Sequence, residues 1–265
     1  MAIGNRLNVG LIGCGYQGQW LARVIGALDD FRLAACTDPD EEAEEAVVSI
    51  AHGVDVEDSP EAVIARQDVD VVFIATPHHL LQPYALQAVT AGKHVLAEKP
   101  IALNADQATE LEATVAEHDV IYMAGYSFRY PAPVAEAKRL ASDGVIGEIK
   151  TISAGMTRPG VRPTWVAKPE SGGGILGFYG SHLIDRVLWL VDDKPVEVSA
   201  SVTYHPDYGV DQTSLFQVSF QRGAVAQFNI CGESAGWFDF AHFCGGEGHL
   251  YLAMAEIPNY SLTVT

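Results

Sequence analysis

The 265-residue sequence is poor in basic residues, poor in cysteine and without a long apolar run. Sixteen Lys and Arg stand against 34 Asp and Glu, a formal net charge of −18. That balance opposes contact with phosphate backbones or anionic lipid, so neither nucleic acid nor a membrane is expected as a partner. The bland source of the acid excess is a solvated surface. No apolar stretch reaches the ~18 to 20 residues that a membrane-spanning helix needs. The N-terminal MAIGNRLNVGLIGCG has no charged region followed by an uninterrupted apolar one, which argues against export and for a cytoplasmic protein. Cys14, Cys36, Cys231 and Cys244 include no CxxC pair. They read as small buried residues in a reducing compartment, not as a disulfide framework or a metal site.

What is present is ample apolar material, 48% of residues, enough for one large domain or two small ones. Up to about residue 125, short β-rich runs alternate with helical stretches, the pattern of a doubly wound parallel sheet. LNVGLIG, RLAACT, VDVVFIA, HVLA and VIYMAG read as strands. Helices are expected over Gln17 to Leu28, after Pro39, from about Pro83 to Ala91, and from Asn104. Beyond Tyr126 the texture changes to period-two strands with two helices, about Pro133 to Ser142 and Phe178 to Val191. The expected fold is therefore an N-terminal Rossmann domain over 1–125 and a C-terminal α+β domain over 126–265, the latter with a large, mostly antiparallel open sheet. One face of so broad a sheet commonly packs on a partner subunit, so a homodimer or homotetramer through it is expected.

Gly13, Gly15 and Gly18 form GxGxxG between a strand and a helix. The first glycine permits a tight turn, the second lets backbone approach a pyrophosphate, and the third allows close packing of helix on strand. The next strand ends at Asp38, about 20 residues on, where a carboxylate can accept hydrogen bonds from ribose hydroxyls. A 2′-phosphate there would meet Asp38, Asp40 and Glu41 with no nearby cation, which favours NAD over NADP. Tyr16 and Gln17 in the glycine turn, and Thr76 and Pro77 after VDVVFIA, complete the expected cofactor contacts, with Glu98 at the turn or the nicotinamide ribose.

Lys99 follows the strand HVLA, on the sheet edge where open α/β folds bind ligands, and Pro100 restricts its backbone. A cation there can stabilise a developing alkoxide and assist proton transfer. In SGGGILGFYGSHLIDRVLWL, His182, Asp185 and Trp189 share one helical face, and His182 can exchange a proton near neutral pH.

GLIGCGYQG, VDVVFIATP, AGKHVLAEKPIALN and GGGILGFYGSHLIDRVLWL, in that order, resemble the glucose–fructose oxidoreductase/inositol dehydrogenase family, usually written Gfo/Idh/MocA. GKHVLAEKP is the most specific piece, because a generic Rossmann sheet does not demand it. The resemblance implies that Lys99 lies at the substrate hydroxyl or carbonyl and that His182, within G-x-H-x-x-D, is the catalytic histidine. Many polyol dehydrogenases of the family carry an aspartate one turn before that histidine, where this chain has Phe178. Asp185 or Lys99 would then supply the missing orientation, or the substrate is handled differently. Leu81 stands where the family often has a histidine. Weaker substrate candidates are Tyr126, Arg129 and Tyr130 in GYSFRYP, and Arg158, Arg162 and Trp165 in TRPGVRPTW.

The expected function is transfer of a hydride between NAD and a hydroxyl or carbonyl of a sugar, cyclic polyol or related alcohol. A family branch that cleaves glycosides by oxidation and elimination, and a non-catalytic dinucleotide-binding regulator, are the alternatives. Family members usually continue past the last strands found here. A truncated chain, a naturally small member and an incomplete gene are all open.

Overall fold

The computed structural model describes residues 6–161, 163–256 and 259–265. The chain divides into two compact units, Met1–Gly125 and Tyr126–Thr265.

The first unit contains β1 (Leu7–Ile12), α1 (Tyr16–Gly26), β2 (Phe31–Thr37), α2 (Glu41–Ile50) and β3 (Asp55–Val56). It continues through α3 (Pro60–Ala65), β4 (Val71–Ile74), α4 (His78–Thr90), β5 (His94–Ala97), α5 (Ala105–Ala116) and β6 (Tyr122–Ala124). The six strands are parallel, in the order β3-β2-β1-β4-β5-β6. Chain direction across the sheet reverses between β1 and β4, the position at which such sheets bind ligands beyond the strands' carboxyl ends. Val9, Leu11, Val72, Ile74 and Val95 are buried, as strands covered on both faces require. Helix starts follow side-chain chemistry: Asp40 accepts from Glu42 N at 3.0 Å, and Asn104 from Gln107 N at 2.9 Å.

One helix departs from expectation. α4 begins at His78, five residues before Pro83, and holds that proline inside. Proline usually marks a first turn because it lacks an N–H. Here burial of His78, Leu81 and Gln82 in the preceding turn holds the earlier residues helical.

The second unit contains α6 (Ala132–Ser142), β7 (Ile149–Thr157), α7 (Ser181–Val191), β8 (Pro195–Tyr204) and β9 (Asp211–Phe220). β10 (Val225–Cys231), β11 (Phe238–Gly245), β12 (His249–Glu256) and β13 (Asn259–Val264) complete it. The seven strands run in the order β13-β12-β11-β7-β10-β9-β8, with β7 and β10 parallel and the other neighbours antiparallel. Ile152, Ala226, Phe228, Phe243 and Leu252 on the sheet pack with Leu183, Val187 and Leu190 of α7 in one apolar core. The opposite face is open and exposes Leu215 of β9, whereas Val198 of β8, paired with the core residue Val218, is exposed at the margin of the α7 side. Cys14 and Cys36 are buried as expected, whereas Cys231 and Cys244 are only half-buried, at strand positions outside that core.

Candidate functional site

The candidate residues fall in both units. In the first, the glycine turn is shaped by contacts that forbid side chains. Gly13 has φ +96°, and a Cβ there would lie 2.6 Å from Ala75 O; one on Gly18 would overlap Gly13 O. A Cβ on Gly15 would instead meet nothing within 4 Å. Gly15 is the N-cap of α1, and no side chain caps that helix. The first-turn N–H groups therefore face a cradle that backbone has left open, which suits the phosphates of a dinucleotide.

Asp38, just past β2, is tied to the same turn. Its Oδ2 accepts from Cys14 N at 2.7 Å and its Oδ1 from Asp40 N at 3.0 Å, while Asp38 N donates to Glu44 Oε1 at 2.9 Å. Each carboxylate oxygen retains a lone pair for a ribose hydroxyl. Tyr16 is 88% exposed at the start of α1. Thr76 and Pro77 lead from β4 into α4, with Pro77 at that helix's N-cap.

Gln17 reaches across from α1, its Nε2 donating to Glu98 Oε1 at 2.8 Å. Glu98 N donates to Ile74 O, so the segment after β5 is pinned to the end of β4. Burial pushes the Glu98 carboxyl up, opposed by Lys99 and by hydrogen bonds from Lys99 N and Gln17. Lys99, in a cis Lys99–Pro100 peptide, is 7% exposed. Burial pulls its ammonium down to about 8, against the opposing charge of Glu98. A lysine near 8 exchanges its proton close to neutral pH, as an acid–base group needs.

In the second unit, His182 lies in the first turn of α7 and is 8% exposed. Phe128 stacks on its imidazole at 4.2 Å between centroids, and Tyr126 meets it edge-on at 6.2 Å. Burial raises the Tyr126 hydroxyl, and the Asp185 charge adds to it. Asp185, one turn after His182, is held by Arg129 in a two-pronged pair whose Nε–Oδ2 arm is 2.7 Å. Arg129 also lies over the rings of Tyr126 and Trp189, at 5.8 and 5.7 Å. Arg129 and Asp185 thus form an ion pair along the aromatic wall of His182, an association between residues 56 positions apart.

The run before α7 is a wide helical turn, Leu176–Gly180, of the kind that often marks functional sites. Gly173 and Gly174 permit it: a Cβ on either would overlap Val166 O or the Asp211 carboxylate. Asp211 Oδ2 accepts from Leu176 N at 2.7 Å. Phe178 packs edge-on against Trp165 at 5.4 Å, so apolar rings stand one turn before His182.

Arg158 departs from the loop position expected of it. It is 0% exposed, its guanidinium 3.7 Å over the Trp237 ring and 4.0 Å from Asp239, which Arg186 also binds. Burial pulls it down to about 10. The structure makes Arg158 part of a core charge cluster, where side chains shield it from a ligand. Sequence reasoning missed it because its partner Asp239 lies 81 positions away in β11. Arg162 lies outside the described residues.

Residues 7–126 match the family described as "Oxidoreductase family, NAD-binding Rossmann fold", and residues 134–251 match the GFO/IDH/MocA C-terminal domain. A 2,7-anhydro-N-acetylneuraminate hydratase from Mediterraneibacter gnavus is 32% identical over 82% of this chain, which spans 60% of that relative. A levoglucosan dehydrogenase from Pseudarthrobacter phenanthrenivorans is 30% identical over 76% of this chain and 55% of its own length. The crystal structure of GenD2 from gentamicin A biosynthesis, in complex with NAD, superposes with a TM-score of 0.89 at 26% identity, covering 96% of this chain and 74% of that one.

Proposed function

Because the chain belongs to the Gfo/Idh/MocA family of oxidoreductases, we propose that it is an NAD-dependent dehydrogenase acting on a CH–OH group of a sugar, cyclic polyol or related alcohol. The observation that carries this reading is the buried Lys99 ammonium past β5, in the same sheet whose β1–α1 turn leaves a phosphate cradle open. Gly13, Gly15, Tyr16, Gln17, Gly18, Asp38, Thr76, Pro77 and Glu98 would hold the dinucleotide. Bound there, the nicotinamide supplies the hydride acceptor. Lys99 polarises the substrate oxygen and stabilises its developing negative charge. His182 accepts the hydroxyl proton, its ring held by Phe128. Asp185, bound by Arg129, is a positioning residue on the same helix. Tyr126, Arg129 and Trp165 are candidate substrate contacts. A cytoplasmic location and pairing of copies through the open face of the seven-stranded sheet complete the reading. Among the described residues no helix is long and apolar enough to cross a membrane.

The hydratase relative, whose name is not that of a dehydrogenase, favours a second reading: the oxidation–elimination branch that the family resemblance implies, in which NAD is regenerated in each cycle. Absorbance of the reduced nicotinamide separates the two. Purified protein is offered NAD or NADP with inositols, aldoses, sugar acids, amino sugars and anhydro sugars. Lasting NADH formation with one class supports the dehydrogenase; product without accumulated NADH supports elimination; neither, for any class, overturns both.

The preference for NAD rests on Asp38. Asp38→Ala removes a carboxylate that would accept ribose hydrogen bonds and repel a 2′-phosphate. NADH affinity is expected to fall about tenfold, the scale of one charge-assisted hydrogen bond, while discrimination against NADPH shrinks. Fluorescence titration with both cofactors checks this, and unchanged affinity for both removes Asp38 from the site.

A further inference from the structure

On the open face of the seven-stranded sheet, opposite the face that α7 covers, His242, Cys244 and His249 converge. Cys244 on β11 stands directly opposite His249 on β12, and His242 is two residues before Cys244 on the same strand. Strand alternation puts His242 and Cys244 on one side, while Asp239, Ala241 and Phe243 point into the core. The Cys244 sulfur is 3.7 Å from His242 Nε2, and the imidazoles of His242 and His249 stack at 5.3 Å between centroids. One donor atom from each residue lies within 4.8 Å of the other two.

We propose that these three side chains form a binding site for a single thiophilic divalent cation of the zinc type, outside the cofactor and substrate machinery. One thiolate and two imidazoles are a donor set that zinc prefers over magnesium or calcium, which take oxygen ligands. Tetrahedral coordination at about 2.0–2.3 Å needs donors about 3.5 Å apart. The sulfur and His242 already meet that spacing, and rotation of the exposed His249 imidazole closes the remaining ångström. The three protein ligands leave a fourth position for water. On binding, the Cys244 S–H bond breaks, the sulfur's electron pair forms the metal bond and the proton leaves to solvent. The cation then cross-links β11 to β12 across the hairpin and removes the half-buried thiol from oxidation. The spacing H-x-C-x4-H spans that hairpin turn, so a search for CxxC pairs passes over it. Leu215, exposed on the same open face, lies in β9 toward the opposite end of the sheet.

The test is a Co2+ titration of the full chain, stripped beforehand with a chelator and followed by absorbance. Saturation at one Co2+ per chain is expected, with a near-ultraviolet thiolate-to-cobalt band and competition by Zn2+. Cys244→Ser should abolish that band. His242→Ala and His249→Ala should each weaken binding by at least about tenfold, the smaller effect known even for residues that only support a ligand. Far-ultraviolet circular dichroism of the metal-free variants separates lost ligands from lost folding, and Cys244→Ala repeats the test should the serine variant unfold. Saturation without the near-ultraviolet band, affinity unchanged in the folded histidine variants, or no binding at micromolar cobalt would each overturn the site.

Discussion

Replacing Lys99 with methionine is expected to lower turnover by about 10² or more while the thermal midpoint at neutral pH stays unchanged or rises. The two halves of that result have one cause. Lys99 is nearly enclosed, and burial has pulled its ammonium from 10.5 down to about 8. In the unfolded chain the same group binds its proton up to the ordinary value, so between about 8 and 10.5 the unfolded state carries more protons than the folded one. Folding stability therefore rises with pH across that window. Below about 8 the folded protein bears the whole of that penalty, the burial cost less the attraction of Glu98, about 3 kcal/mol from the same shift. Methionine fills similar space without that cost, although it also removes the cation beside Glu98, whose carboxyl then takes up a proton more readily. A residue kept for stability would give the opposite pattern. In the wild type, the reaction's dependence on a protonated lysine should appear as activity lost when pH rises through about 8, instead of above 10. Steady-state rates across pH, paired with thermal melts of both proteins, check this; full activity in Lys99→Met would remove the lysine from the mechanism.

That contrast shows which parts of the protein are local in the sequence. The glycine turn, Asp38 and the Glu-Lys-Pro segment are each set by a few adjacent residues, and β1, β2, β4 and β5 follow from short apolar runs. The helix start at Asn104 is legible for the same reason. What could not be read depends on partners distant in the chain. The start of α4 is decided by burial of His78 and Leu81 against the sheet, which outweighs the ordinary preference of Pro83 for a first turn. Arg129, a candidate substrate contact, is also bound by Asp185 from a separate helix, a pairing that the spacing of GYSFRYP does not show. Arg158 looked like a loop cation, yet Trp237 and Asp239 close over it from β11 and the segment before it. The ligand cluster on β11 and β12 needs strand register to bring Cys244 opposite His249. Pairing across a sheet or between helices leaves no mark on the spacing of one segment.

His182→Asn is expected to reduce turnover by about 10² or more, with cofactor affinity retained, because asparagine keeps a polar side chain but cannot accept a proton near neutral pH. Phe128 stacks on the imidazole at an angle of 16°, and Tyr126 stands edge-on to it, so two rings define the plane in which it lies. In this chain Phe178 occupies the turn where many polyol dehydrogenases of the family carry an aspartate, and it packs on Trp165. Aromatic packing would then do part of the orienting that a carboxylate does elsewhere. Phe128→Ala distinguishes this from a purely structural role for the stack. If Phe128 orients the base, its loss lowers kcat with KM little changed, and a flat ring restored at that position in Phe128→Tyr recovers the rate. If Phe128 only fills space, the thermal midpoint falls while kcat per folded molecule matches that of the wild type. Nicotinamide absorbance for the rates and fluorescence titration for cofactor binding measure these variants, and undiminished turnover in His182→Asn would exclude His182 as the base.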